Sequence, residues 1–233
     1  MNYIKLLHIE GFKKFVSLDV PFNEHMNILV GENEAGKSTI LDALKTVLNQ
    51  QYRTADKSVL RDLFNAQMVA EFRANPSVNT LPKIYIEVEL VLDPQEKNAS
   101  YFYGEVYGRR QQQTEKYGIR FECKYDEELG VGMEQSILEG KIPYEYYALT
   151  WTTFANRPYQ IIKRPLNFLS IDTTNGAAAS SFNYYNRTLF TSRYDEATRA
   201  RAKNEFRSKL EDVLEAANLP PISENRKFGI DSK

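Results

Sequence analysis

In Met26-Asn27-Ile28-Leu29-Val30-Gly31-Glu32-Asn33-Glu34-Ala35-Gly36-Lys37-Ser38-Thr39, a short apolar run stops at one glycine, and a second glycine is followed by lysine and serine. The run 26–30 is expected to be a strand buried on both faces of a parallel sheet. Beyond it, Ile40, Leu41, Leu44, Val47 and Leu48 recur at helical spacing, which predicts an amphipathic helix over residues 37–50. Strand, glycine loop and helix in this order are the context that gives the pattern G-x-x-x-x-G-K-[ST] its meaning as a triphosphate cradle.

The chemistry follows from the residue types. Small, highly charged oxygens need many donors converging on them, and a glycine-rich turn lets successive backbone N–H groups point inward at a helix N-terminus. Gly31 and Gly36 supply the backbone freedom, while Asn33, Glu34 and Ala35 complete the loop. Lys37 is expected to reach the β- and γ-phosphates and neutralise their charge, which makes it the catalytic candidate as well as a binding one. The Ser38 hydroxyl is expected to ligate magnesium, and Thr39 to sit beside the α-phosphate. ATP with Mg2+ is the expected ligand.

Outward from the loop, two strand-like segments precede it: residues 4–9, and residues 16–22 with Val16, Leu18, Val20 and Phe22 alternating with polar neighbours. A second helix is expected over residues 55–72, closed by Asn75-Pro76-Ser77-Val78-Asn79. The middle of the chain predicts antiparallel, hairpin-linked strands at residues 84–92 and 119–125, with an aromatic strand at 144–154. The basic connection around Arg109 and Arg110 is expected to be a loop. Asn175-Gly176-Ala177-Ala178-Ala179-Ser180-Ser181 reads as a linker, and Phe206, Leu210, Val213, Leu214 and Ala217 mark one face of a helix from about Asp195, ended by Leu219-Pro220-Pro221. The chain thus divides into a P-loop core (1–80), a β-rich portion (81–170), and a linker with a helical segment (171–233).

The whole chain has 233 residues, of which 42% are hydrophobic, and 30 basic against 31 acidic residues leave a net charge of −1. No global positive field draws it to nucleic acid, so DNA contact would need a local patch or other parts of a complete protein. The pairs Arg109-Arg110 and Lys163-Arg164 read as solvated surface. The single cysteine, Cys123, excludes an internal disulfide framework and falls on the apolar phase of its strand. His8 and His25 have no evident partner for metal or acid–base chemistry. With no apolar run long enough to span a bilayer, a cytoplasmic protein without membrane attachment is expected.

The opening Ile9-Glu10-Gly11-Phe12-Lys13-Lys14-Phe15, followed by a strand pair and a P-loop near residue 31, resembles the ABC-type ATPase heads of SMC, RecF-like and OLD-family proteins. In those families the opening segment typically reads Asn-Phe-Arg and then a small or polar residue. Gly11, Phe12 and Lys13 stand in those places here, so Lys13 and Lys14 are expected to approach the nucleotide. The loop Glu32-Asn33-Glu34-Ala35, the following Ile40-Leu41-Asp42-Ala43-Leu44 and Tyr144-Glu145-Tyr146-Tyr147 look most like OLD-family ATP-dependent nucleases, and Glu34 departs from the glycine usual in the SMC group. The fold so implied is α/β, a P-loop NTPase of ABC-head type with an additional antiparallel β portion. Gln160 is the glutamine that would sense magnesium and the γ-phosphate.

What the resemblance further implies is an N-terminal lobe whose signature motif, Walker B pair and Toprim nuclease region are not in these residues. The nearest Walker B mimics, ending in Asp93 and Asp172, each lack the following glutamate, and Asp93 reads more simply as a turn residue before proline. ATP binding with little turnover is therefore expected, serving as a conformational or homodimerisation switch in a DNA-processing protein. Two other classes compete. One is a small-molecule P-loop kinase, against which stand the two strands before the loop; the other is a non-catalytic, nucleotide-dependent interaction module.

Overall fold

β1 (Tyr3–Phe12) and β2 (Phe15–Pro21) form an antiparallel hairpin whose turn is made by Lys13 and Lys14, with Lys13 in the left-handed region at φ 48. The computed structural model describes residues 2–105, 115–159, 162, 164–166, 168, 190 and 193–216, in two units, 1–168 and 169–233. In the first unit the hairpin joins β3 (Ile84–Val91), β5 (Glu115–Tyr125) and β4 (Tyr103–Glu105) in the order β2-β1-β3-β5-β4, and β6 (Tyr147–Thr153) also pairs with β5. Every pairing among the described strands is antiparallel.

The two faces of this sheet differ because strand side chains alternate. On one face Leu7 pairs with Val88, Ile9 with Ile86, Ile86 with Phe121 and Phe121 with Trp151, and all are buried. Helix α1 (Lys37–Asn49) covers this face through Ala43, Leu44, Val47 and Leu48. Burying each of these larger aliphatic side chains contributes about 1.5–3 kcal/mol. Trp151 also donates its indole N–H to the Thr46 carbonyl at 2.7 Å, tying β6 to α1. α1 ends where Gln50 turns left-handed at φ 54.

The opposite face is polar yet partly buried. Glu87 lies opposite His8 on one side and Arg120 on the other, and the Arg120 Nε donates to Glu87 at 3.0 Å. Lys5 and Lys116 likewise engage buried Glu89, at 3.2 and 2.7 Å.

Two expectations are corrected. Residues 26–30 are not a strand: Met26, Ile28 and Val30 are 76%, 75% and 89% exposed, and no described strand pairs with them. A parallel strand needs ladder partners on its flanks, and both flanks of β1 are already taken by β2 and β3. The helix expected over 55–72 is broken instead into a short turn at Lys57–Val59, α2 (Leu60–Leu63) and α3 (Ala66–Ala74). Phe64 is extended and bridges to Phe12, and Asn65 caps α3 by accepting from the Gln67 and Met68 amides. Tertiary pairing of Phe64 outweighs local helical periodicity there.

Elsewhere the agreement is close. The aromatic strand begins at Tyr147, with Tyr144–Tyr146 as a helical turn before it and α4 (Glu134–Leu138) further upstream. Cys123, Tyr147 and Trp151 are core residues. In the second unit α5 (Glu196–Ala216) starts where Asp195 accepts from the Thr198 amide at 2.8 Å, and it carries exposed Phe206 and Val213. The basic connection at Arg109, the linker at 175–181, Lys163 and the end of the last helix lie outside the described residues. Among the described residues, no helix is long and apolar enough to cross a membrane.

Candidate nucleotide-binding site

The loop of residues 31–36 is shaped by two left-handed positions, Glu34 at φ 70 and Gly36 at φ 95. Such alternation of backbone sense turns neighbouring amides toward one side, the geometry of an anion-binding concavity. Gly36 is also the N-cap of α1, yet among the described residues no side chain caps that helix, and its first turn holds no acidic residue. The first intrahelical bond is from the Ile40 amide to the Gly36 carbonyl at 3.1 Å. The amides of Lys37, Ser38 and Thr39 therefore have no partner within the helix, and the positive end of the helix dipole faces the loop. This donor set fits a phosphate group, because a protein side chain in the same place would compete with it.

Lys37 turns back over the loop and donates to the carbonyls of Gly31 and Glu32 at 2.6 and 2.7 Å. Its ammonium thus stands within the loop. Ser38 is exposed at the start of α1, while Thr39 is 7% exposed and turned to the interior. Asn33, Glu34 and Ala35 form the exposed crest, closed by the Ala35 amide donating to the Glu32 carbonyl at 3.2 Å.

The β1–β2 turn lies against this loop, and three consecutive residues make the junction. Lys13 donates to Asp42 of α1 at 2.6 Å. Lys14 donates to the Glu34 carbonyl and stands 3.8 Å from the Glu34 carboxylate. The Phe15 ring occupies the space over Gly36, where a Cβ would meet its Cζ at 2.4 Å. The turn itself is held from behind: the Lys13 amide donates to the Leu63 carbonyl at 2.7 Å, the Asn65 side chain donates to the Lys13 carbonyl at 2.8 Å, and the Asn65 amide donates to the Gly11 carbonyl at 3.0 Å. A side chain on Gly11, at φ 67, would collide with the Lys83 carbonyl at 2.0 Å, so this path of the chain needs glycine.

Lys14 is thus brought to the loop and Lys13 to Asp42 of the helix behind it, whereas Gln160 lies outside the described residues. Asp93 follows β3 and accepts from the Gln95 amide at 2.9 Å, an ordinary Asx turn, and Asp172 lies outside the described residues. His8 sits on the polar sheet face between Asp19 at 2.7 Å and Glu10 at 3.1 Å. Phe15, Asp42 and Asn65 are site-forming residues that periodicity does not single out. Only Asn65 carries a local sign, an Asx residue in the place of a helix cap.

Residues 6–219 match the AAA domain family. The chain belongs to that family. It is an ATPase domain by family, and its antiparallel sheet lies beside the helix that follows the glycine loop. Among curated proteins, it is 34% identical over 61 residues to the DNA replication and repair protein RecF of Clostridium acetobutylicum, covering 25% of this chain and 17% of that protein. It is 40% identical over 42 residues to RecF of Clostridium kluyveri, covering 18% and 12%. Urease accessory protein 2 of Cryptococcus neoformans is 32% identical over 89 residues, covering 37% and 7%. The AAA domain therefore matches less than a fifth of the length of each of these relatives. A solved chain described under "Structural biochemistry of ATP-driven dimerization and DNA stimulated activation of SMC ATPases" aligns with 88% of this chain and 99% of its own, at 16% identity and a TM-score of 0.37.

Proposed function

We propose that this AAA domain binds ATP with Mg2+ and acts as the nucleotide switch of a DNA-processing protein, of the OLD-family endonuclease kind. The observation that carries the nucleotide reading is the uncapped N-terminus of α1 behind a loop with two left-handed positions, with the Lys37 ammonium already inside it. Gly31, Asn33, Glu34, Ala35 and Gly36 would cradle the phosphates, Lys37 would neutralise them, and Ser38 would hold the metal, with Thr39 at the base. Lys14, on the loop crest, would approach from the hairpin. The bound metal would supply charge neutralisation at the triphosphate.

DNA processing rests on the likeness to RecF and on the resemblance in residues 9–15 and 32–44. Little turnover by this chain alone is part of the same reading. It is supported by Asp93 being spent on a turn and by the bare apolar run Met26, Ile28, Val30, which has strand composition but no sheet partner among the described residues.

Calorimetry with Mg-ATP on this chain and on Lys37→Ala, with phosphate release followed in the same samples, tests the reading. Binding that is lost in the variant, with slow release, is expected. Rapid turnover requiring a small acceptor would instead show a kinase, and no binding in the parent chain would sink the proposal.

A further inference from the structure

The two hairpin lysines differ in what they hold. Lys14 lies at the loop crest against the Glu34 carbonyl, with the exposed Glu34 carboxylate only at 3.8 Å, a setting that an incoming anion can replace. Lys13 is paired with a carboxylate at 2.6 Å, both side chains being about three-quarters buried, and the Tyr52 hydroxyl stands beside the pair. Lys45 approaches the other Asp42 oxygen only at 3.9 Å.

Asp42 follows Ser38 by four residues on α1, so the two share one face of the helix, about 6 Å apart along its axis. An anionic side chain one turn behind the metal-holding hydroxyl opposes a triphosphate. In a half-buried setting that opposition is not fully screened by water. The Lys13 backbone is fixed independently by Leu63 and Asn65, so its ammonium is delivered to Asp42 whatever occupies the loop.

We infer that Asp42 and Lys13 form a charge-cancelling pair that sets the affinity of the site for polyphosphate, Lys13 serving as the counter-ion of Asp42 and not as a direct phosphate ligand. This rests on the nucleotide reading above. Asp42 is a negative determinant that tunes affinity downward, and Lys13 masks it. Both are positioning residues acting through charge.

The test is Mg-ATP and Mg-ADP affinity by calorimetry for the parent chain, Lys13→Met, Asp42→Asn and the double variant, with thermal unfolding of each. Met and Asn keep the side-chain volumes. Lys13→Met is expected to weaken ATP roughly three- to tenfold and ADP by less, since the more charged ligand feels the bare carboxylate more. Asp42→Asn alone is expected to tighten ATP, and the double variant to return to within about twofold of the parent, because both charges are gone together.

A double variant as weak as Lys13→Met would overturn the inference and show Lys13 touching phosphate directly. Asp42→Asn that weakens ATP in a folded protein would overturn it too, and this variant alone decides the sign should Lys13→Met fail to fold. A parent chain that binds no nucleotide sinks the nucleotide reading and this inference together; binding indifferent to both residues sinks only this one.

Discussion

The ring of Phe15 stands where a side chain on Gly36 would have to go, so the second glycine of the P-loop is held by the hairpin as well as by its own left-handed backbone. Gly36→Ala should therefore meet two separate penalties, a positive φ and a collision. We expect a loss of about 1–3 kcal/mol in stability and loss of Mg-ATP binding. Thermal unfolding of Gly36→Ala against Gly36→Ala with Phe15→Ala separates them: the second change should return part of the stability by opening space, but not the binding. Equal stability of the two would show that the ring contact does not matter.

Asn65 joins three parts of the site by capping α3 and by holding the Gly11 and Lys13 backbone. Asn65→Ala is expected to cost about 1–2 kcal/mol in urea unfolding, the range for a lost helix cap. Asn65→Asp, which keeps the cap acceptor but loses the donor to the Lys13 carbonyl, should recover only part of it. Full recovery by Asp would mean that the hairpin contact is idle.

On the polar sheet face, Glu87 and Arg120 are 4% and 7% exposed, and Tyr85 donates to Glu87 at 2.6 Å. Arg120→Met should cost about 3–5 kcal/mol, because it leaves a buried carboxylate without its cation. Adding Glu87→Gln should restore most of that loss. Chemical unfolding of the two variants is the measurement, and similar instability in both would place the cost in packing instead.

Burial pushes the Glu87 carboxyl above its ordinary value of 4.5, a shift that Tyr85 and Arg120 only partly oppose. A folded pKa raised above the unfolded one means that the native state binds this proton more tightly. Its contribution to stability is complete below 4.5 and is lost as pH rises through the folded value. Other carboxylates have trends of their own, so the informative quantity is the difference between the parent and Glu87→Gln. The stability of Glu87→Gln relative to the parent should rise with pH above 4.5 and then level off, whatever its sign at low pH; a relative stability that falls with pH would contradict it.

Cys123 is fully buried, and burial pushes its thiol up to about 12. The thiolate is the reacting form, so near pH 8 the folded protein should resist alkylation while the unfolded chain labels at once. Labelling followed by mass spectrometry with and without denaturant checks this. Rapid reaction in the native state would mean that the β5–β6 core opens readily.

By itself, the sequence determined what local chemistry can write. Gly31, Gly36, Lys37 and Ser38 spell out the glycine-loop pattern, period-two runs mark β1, β2, β3 and β5, and the 3.6-residue spacing after Lys37 marks α1 within a residue of its observed end. Only tertiary structure decided which strands become neighbours. Residues 26–30 have the composition of a buried strand, but hydrogen bonds of a strand come from other segments, and here β1 gives its flanks to β2 and β3. Phe64 likewise leaves a helical pattern to bridge Phe12, 52 positions away in the chain as the Asn65–Lys13 pair is. The partners of the loop were equally invisible: Phe15 over Gly36 and Lys13 on Asp42 exist because the hairpin packs beside α1, and no spacing along the chain encodes a contact made across the fold.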